Sequence, residues 1–228
     1  MTILVATGLQ RERRLLRGPG VDVVVGGGDS TRLEAALERL AGGASGIISI
    51  GIAGGLSSAM RTGQWAVAAA VLDKGEPFAT DPTWTTHLLA RLPEATAGRL
   101  LGVDAIVAEA ARKAELHRAT GAIAVDMESH IAARVARRHR LPFAAARVIS
   151  DTAHRSLPPA ACVGMRADGT VDLPAVLRSL LKNPGQLPAL IRTGVEAERS
   201  FRVLLRGRDV LGAGLGGPDV GDLPLDVV

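Results

Sequence analysis

"GAIAVDMESHIAARVARRHRLPFAAARVISD", residues 121–151, reads as strand, helix and strand in succession. "GAIAV" is a short apolar run, and "MESHIAARVARRHR" follows as a helix. Pro142 then disfavours further helix, and "FAAARVIS" is extended. Strands that are apolar throughout and joined by a helix belong to a parallel sheet covered on both faces. Three acids punctuate the unit. Asp126 and Glu128 stand where the first strand becomes a helix, and Asp151 ends the second strand. Either acid of the first pair would serve as a helix cap, and either would serve as a ligand for a sugar.

The same alternation extends outward. "TILVAT" is a strand entering a loop with Gly8 and Glu12, and "VDVVV" is a strand closed by Gly26, Gly27 and Gly28. "DSTRLEAALERLA" is a helix. Its Thr31 and Glu34 have capping-box spacing, and Leu33, Leu37 and Leu40 form an apolar stripe. "GIISI" is a buried strand that runs into a glycine turn, "GIAGGL". "WAVAAAVL" is a further strand, "DPTWTTHLLARL" a helix, "RLLGVDAIVA" extended and "EAARKAELHRAT" helical. The expected fold is one three-layer α/β/α domain over residues 1–211 with a mixed, mostly parallel sheet. It includes C-terminal helices from about residue 173, and a disordered Gly/Pro-rich tail follows over 212–228. In such sheets ligands bind beyond the carboxyl ends of the strands. Glu12, Gly26 to Gly28, Gly51 to Gly55, Asp126 to Glu128 and Asp151 all fall there, so one crevice would gather them.

Composition narrows the function. Hydrophobic residues make up 47% of the 228, enough for a full core, while aromatics are 2% with no tyrosine. That scarcity argues against single-strand nucleic-acid binding, which stacks bases on aromatic rings. The formal charge of +4 comes from arginines spread along helices, such as Arg134, Arg137, Arg138 and Arg140, which reads as solvated helix faces. Cys162 is the lone cysteine, the opening residues lack a signal-peptide pattern, and no apolar run approaches a membrane span. A cytoplasmic protein is expected, with contact to the inner membrane surface left open. The glycine turns miss the dinucleotide-binding spacing, no serine-hydrolase elbow occurs, and the five histidines lack zinc-ligand spacing. No metal or organic cofactor is expected.

The acids remain. Cleaving a purine N-glycosidic bond needs an acid at N7, an anchor for the ribose hydroxyls and a positioned nucleophile. "SIGIAGGL", "AVDMESHIAARVA" and "ARVISDTA", in this order, resemble the nucleoside phosphorylase/nucleosidase superfamily, which includes methylthioadenosine/S-adenosylhomocysteine nucleosidase. The resemblance runs from Thr2 to about Leu211. "SLPPAA" and "LLKNPGQLPALI" are similar to its hopanoid-associated phosphorylases.

The resemblance implies roles for named residues. Asp151 would protonate N7 and accept from the 6-amino group of adenine, held by Ser150. The end of a buried strand suits a carboxyl group poised to carry a proton. Glu128 would bind the ribose hydroxyls with Met127 against the sugar, while Asp126 keeps the capping role. Ile106 and Val107 would flank adenine, and Ile52 and Gly54 join the substrate-binding set. Glu12 would activate water, its alternative being a pair with Arg11 or Arg14. Where relatives bind phosphate through an arginine and a hydroxyl residue, this chain has Ser49 and Ile52. Phosphate, as co-substrate, would have to use Gly8, Arg11, Gly27, Gly28, Ser30 or Thr31.

The implied activity is adenine release from adenosylhopane, giving ribosylhopane or its 1-phosphate, by a homo-oligomer that completes its sugar pocket with a neighbouring subunit. The tail from Leu177 to Leu211 would supply an apolar opening through Leu180, Leu181, Leu187, Leu190, Ile191, Phe201, Leu204 and Leu205. Lys182, Arg192, Arg199 and Arg202 would meet a membrane surface. Two alternatives stay open: methylthioadenosine or adenosylhomocysteine cleavage in salvage, and a non-catalytic nucleotide- or lipid-binding protein.

Overall fold

The computed structural model describes residues 2–164, 166 and 168–217. Its strands are β1 (Thr2–Thr7), β2 (Val21–Val25), β3 (Ala44–Gly55), β4 (Trp65–Asp73), β5 (Glu76–Ala79), β6 (Thr96–Gly102), β7 (Ala122–Asp126) and β8 (Phe143–Asp151). Its helices are α1 (Gln10–Leu16), α2 (Ser30–Ala41), α3 (Pro82–Arg91), α4 (Ala110–Thr120), α5 (Ser129–His139), α6 (Pro159–Cys162), α7 (Leu173–Lys182) and α8 (Leu187–Leu211). Single 3-10 turns cover Pro184–Gln186 and Ala213–Gly216.

The sheet is mixed and mostly parallel. Ladders β1–β2, β1–β3, β3–β8, β4–β6 and β6–β7 are parallel; β3–β7, β4–β5 and β4–β8 are antiparallel. Because β8 pairs with both β3 and β4, the ladders β3–β8–β4–β6–β7–β3 close into a ring, which β1, β2 and β5 extend. Helices cover both faces. Leu33 and Leu37 of α2 join Ile131, Ala132, Val135 and Ala136 of α5 on one side. Leu16, Trp84, Leu88, Phe201 and Leu204 bring α1, α3 and α8 onto the other. Each large apolar side chain buried this way stabilises the fold by about 1.5–3 kcal/mol. Local chemistry starts the helices where they start. Asp81 accepts from the Trp84 N–H at 2.8 Å, with Pro82 in the first turn of α3.

Several expectations change. "GIAGG" is not a turn but the second half of the twelve-residue β3, whose ladder with β8 continues to Gly54. The supposed loop after β1 contains α1, and the short β5 follows β4 through a hairpin. The N-cap of α2 is Asp29, which accepts from Arg32 N at 2.9 Å, so Thr31 and Glu34 form no capping box. Leu40 is exposed rather than part of the buried stripe. The tail is also ordered further than expected. Trp84 Nε1 donates to the Leu215 carbonyl at 3.0 Å and Leu215 is buried, so packing holds the chain at least to Gly217. The remainder of the expected tail, 218–228, lies outside the described residues. Phe201 and Leu204, expected at an apolar opening, are instead part of the core.

Candidate active site

The β3–β8 register decides which residues meet. Gly51 pairs with Arg147, and an irregularity after Ala53 sets Gly54 against Asp151. A parallel ladder thereby places glycines on β3 beside the charged residues of β8. A Cβ at Gly51 would lie 2.9 Å from Arg147 Nη1 and 2.5 Å from Glu12 Oε1, and one at Gly8 would lie 2.8 Å from Glu128 Oε1. Those contacts are too close for any side chain, so glycine is what lets three ionisable groups converge. The carboxyl ends of β1, β2, β3, β7 and β8 open onto a pocket of about 580 Å3.

Glu12, Ile52, Gly54, Ile106, Val107, Met127, Glu128, Ser150 and Asp151 all line it, with Gly8, Gly27 and Gly28. Arg11, Ser30 and Thr31 do not. Arg11 turns to α8, paired with Glu198 and lying 4.3 Å over the Phe201 ring. Ser30 donates to Asp104 Oδ1 at 2.8 Å, and Thr31 is exposed. The Gly8 N–H donates to Glu12 and the Gly27 N–H to the Gly8 carbonyl, so these two amides are already engaged.

Glu12 pairs with neither Arg11 nor Arg14. It points inward, 1% exposed, held by four donors. Thr7 Oγ1, Gly8 N and Leu9 N donate to Oε2, while Oε1 takes one bond, from Ile52 N at 2.7 Å. The bond to Leu9 N also supports the first turn of α1, as the third-position glutamate of a capping box does. Oε1 keeps a lone pair free.

Arg147 is the centre of the cluster and was not singled out in the sequence. It is fully buried. Nη2 reaches Ser49 Oγ, Asp126 Oδ1 at 3.0 Å, Ser129 Oγ at 3.3 Å and Glu128 Oε2 at 3.3 Å. Burial works against its charge, but Asp126, Glu128 and Glu12 together raise its pKa above the usual arginine value. Nε and Nη1 have no protein partner. Asp126 opens α5 by accepting from the N–H groups of Glu128 and Ser129 at 2.8 and 2.7 Å, and it lines the pocket together with Glu128. Burial pushes Glu128 up to about 8, with Arg147 opposing and Asp126 and Glu12 adding to the rise.

Asp151 is buried at the other part of the pocket. Ser150 Oγ lies 2.7 Å from Asp151 Oδ1 and 3.1 Å from the Ala53 carbonyl. Oδ2 accepts from Lys113 Nζ, a second functional candidate absent from the sequence reading. Lys113 is fully buried on α4 and also donates to the carbonyls of Thr152 and Arg155, at 3.2 and 2.9 Å. Apolar residues form much of the remaining wall: Val103, Ala105, Leu157, Ala161 and Ala197, with the half-buried Cys162. Two loops are tied together along this wall by Leu157 N donating to Ala108 O at 2.9 Å and Ala110 N to Ser156 Oγ at 3.0 Å.

Comparison with solved structures finds the same fold repeatedly. A nucleosidase from Weissella paramesenteroides, described as a putative methylthioadenosine nucleosidase, superposes with TM-score 0.60 and 20% identity over 87% of this chain and 98% of its own. The MTA/SAH nucleosidase of Streptococcus pneumoniae, in complex with 8-aminoadenine, gives 0.61 and 16% over 90% and 99%. A futalosine hydrolase mutant of Helicobacter pylori gives 0.59 and 14% over 90% and 99%. No curated protein sequence matches. The family model for the Phosphorylase superfamily matches residues 23–180, more than half of the chain and inclusive of β3, β7, β8 and the acids they carry. The chain belongs to the phosphorylase superfamily.

Proposed function

We propose that this protein hydrolyses the N-glycosidic bond of an adenosine-type nucleoside whose 5′ side carries a large apolar group, releasing adenine and the free sugar. The observation that carries the reading is the convergence of Asp151, Glu128 and Glu12 in one pocket, with Arg147 buried behind Glu128. The related structures support the base: one is an MTA/SAH nucleosidase holding 8-aminoadenine. The apolar wall of Val103, Ala105, Leu157, Ala161 and Ala197 suits a hydrophobic 5′ substituent. Adenosylhopane is the substrate of that kind which the sequence resemblance implies.

In this mechanism Asp151 gives a proton to adenine N7 as the bond from N9 to C1′ breaks, and Lys113 positions its carboxyl group. Glu128 holds the ribose hydroxyls while positive charge grows on the sugar. Water in the pocket meets the free lone pair of Glu12 Oε1. It adds to C1′ and passes a proton to Glu12. Water suits this spot better than phosphate, because an anion there would meet Glu12 and Asp126, with the one guanidinium buried behind them. Neither Arg11, Ser30 nor Thr31 reaches the pocket to help.

The test is a parallel reaction with adenosylhopane, methylthioadenosine and adenosine, with and without phosphate, following adenine and the sugar product. Adenine release independent of phosphate, fastest with the lipid substrate, is the expected result. Sugar 1-phosphate as product would overturn hydrolysis, and preference for the two small nucleosides would overturn the lipid-linked substrate. Absence of adenine from all three would overturn the enzyme reading.

A further inference from the structure

Leu173, Leu177 and Leu181 follow one another at four-residue spacing on α7, and Leu187, Ile191 and Val195 do the same on α8. All six are exposed, Leu181 to 83%, and α7 has no buried residue at all. A soluble helix normally turns such a row into its own core. Here the inner side of α7 carries Ala175, Val176, Ser179 and Leu180, only half-buried, and the leucines face out. The charges interspersed with them are of one sign. Between Leu173 and Val195 stand Arg178, Lys182 and Arg192, all exposed, and no carboxylate.

We propose that this face of α7 and the first half of α8 docks onto an anionic lipid bilayer. An apolar row interspersed with the cations Arg178 and Lys182, and with Arg192 paired to Glu196 at its end, matches a surface that is apolar beneath and negative above. A second copy is the poorer occupant, because a two-fold contact through this face would set Arg178, Lys182 and Arg192 against their own copies. Among the described residues no helix is long and apolar enough to cross a membrane, so the contact is interfacial. The face adjoins the pocket. Thr193 lines the pocket wall next to the exposed Arg192, and α7 lies against the α6 segment, with Val176 Cγ2 placed 3.1 Å from where a Cβ on the pocket-lining Gly164 would be. Docking would bring the apolar wall to the lipid surface. This last consequence, direct entry of a lipid-linked nucleoside, rests on the function proposed above; the docking itself does not.

Flotation of the full chain with vesicles of phosphatidylcholine alone, or of phosphatidylcholine with phosphatidylglycerol, tests the proposal. The wild type is expected to float with the anionic vesicles and to release from them at high salt. Leu177→Glu with Leu181→Glu, and separately Arg178→Glu, Lys182→Glu and Arg192→Glu combined, should each lower partitioning by about tenfold or more. Both variants should release adenine from methylthioadenosine at the wild-type rate, since none of these residues lines the pocket. Wild-type protein that floats with neither vesicle overturns the proposal, as does flotation unchanged in the variants. So does a wild-type dimer that Leu177→Glu with Leu181→Glu converts to monomer without any vesicle binding, which would assign the face to a second copy. Flotation with no adenine release would sink the enzymatic reading and leave the docking; adenine release without flotation does the reverse.

Discussion

Arg134 and Arg138, on the outer side of α5, share Glu34, Glu38 and Asp73 as partners, whereas Arg147 on β8 faces three acids and still keeps two N–H positions without a protein partner. The outer network is solvent-accessible and built from long, adaptable side chains joining α2 to α5. The inner cluster is buried, and its geometry is enforced by glycines at Gly8 and Gly51. A buried guanidinium left partly unbonded is costly to a fold. This cluster lies directly behind Glu12 and Glu128, which line the pocket.

Substitutions measure how far the two clusters differ. Asp151→Asn, in the pocket that Glu12 and Glu128 also line, should slow adenine release from methylthioadenosine by about 10²–10⁴-fold, the range for a lost general acid. A folded variant with near wild-type turnover would remove Asp151 from the chemistry. Arg147→Met leaves Glu12, Asp126 and Glu128 without their cation and should lower unfolding free energy by about 3–5 kcal/mol, read by urea denaturation. Gly51→Ala should displace Glu12 and Arg147 together and reduce the rate about 10²-fold, the penalty of a small misplacement, while far-ultraviolet circular dichroism stays unchanged.

Glu128 supplies a pH test. Its folded value of about 8 lies above the ordinary 4.5, so the folded protein holds this proton more tightly than the unfolded chain. The stability it contributes is complete below pH 4.5 and is lost as the pH rises through about 8. Glu128→Gln, which cannot ionise, should therefore gain Tm relative to wild type progressively from about pH 4.5 to about pH 8 and level off above it. A difference that stays flat would mean that Glu128 ionises normally. At the small end, Arg138→Ala breaks only outer pairs and should cost about 0.2–1 kcal/mol, with the adenine-release rate unaltered. A larger loss would show that the outer network carries more of the fold than its exposure implies.

Much of the architecture was legible because strands and helices alternate with distinct apolar periods, as in residues 121–151. The misreadings have local causes. Glycine at 51, 54 and 55 suggested a turn, yet these positions are extended because they pair with β8 and β7, and they are glycine where Arg147, Glu12 and Asp151 crowd them. Glu12 was placed in a loop, since the seven-residue α1 is too short for a clear apolar period. Arg147 was detectable in principle: a lone cation inside "FAAARVIS" has to find buried acids. Lys113 gave no such signal, because a lysine within "EAARKAELHRAT" resembles any solvated helix residue until α4 is seen against β7 and Asp151. Leu215 was hidden in a run of glycines, and only the bond from Trp84, far away in sequence, reveals why the chain stays ordered there.

The ring of ladders bears on how this molecule avoids sticking to its own kind. Five strands, β3, β8, β4, β6 and β7, find partners on both sides within the ring, so the described sheet ends only at β2 and β5. Unpaired edges are where sheets recruit other chains. β5 is four residues long and contains Pro77, which has no N–H to offer, and its Phe78 is covered by the Arg137 guanidinium at 4.2 Å. β2 sets the exposed Asp22 along its edge. A growing aggregate would therefore have to open the ring before it could recruit the longest and most apolar strands, and Asp126 and Asp151 of the pocket are carried on strands guarded in that way.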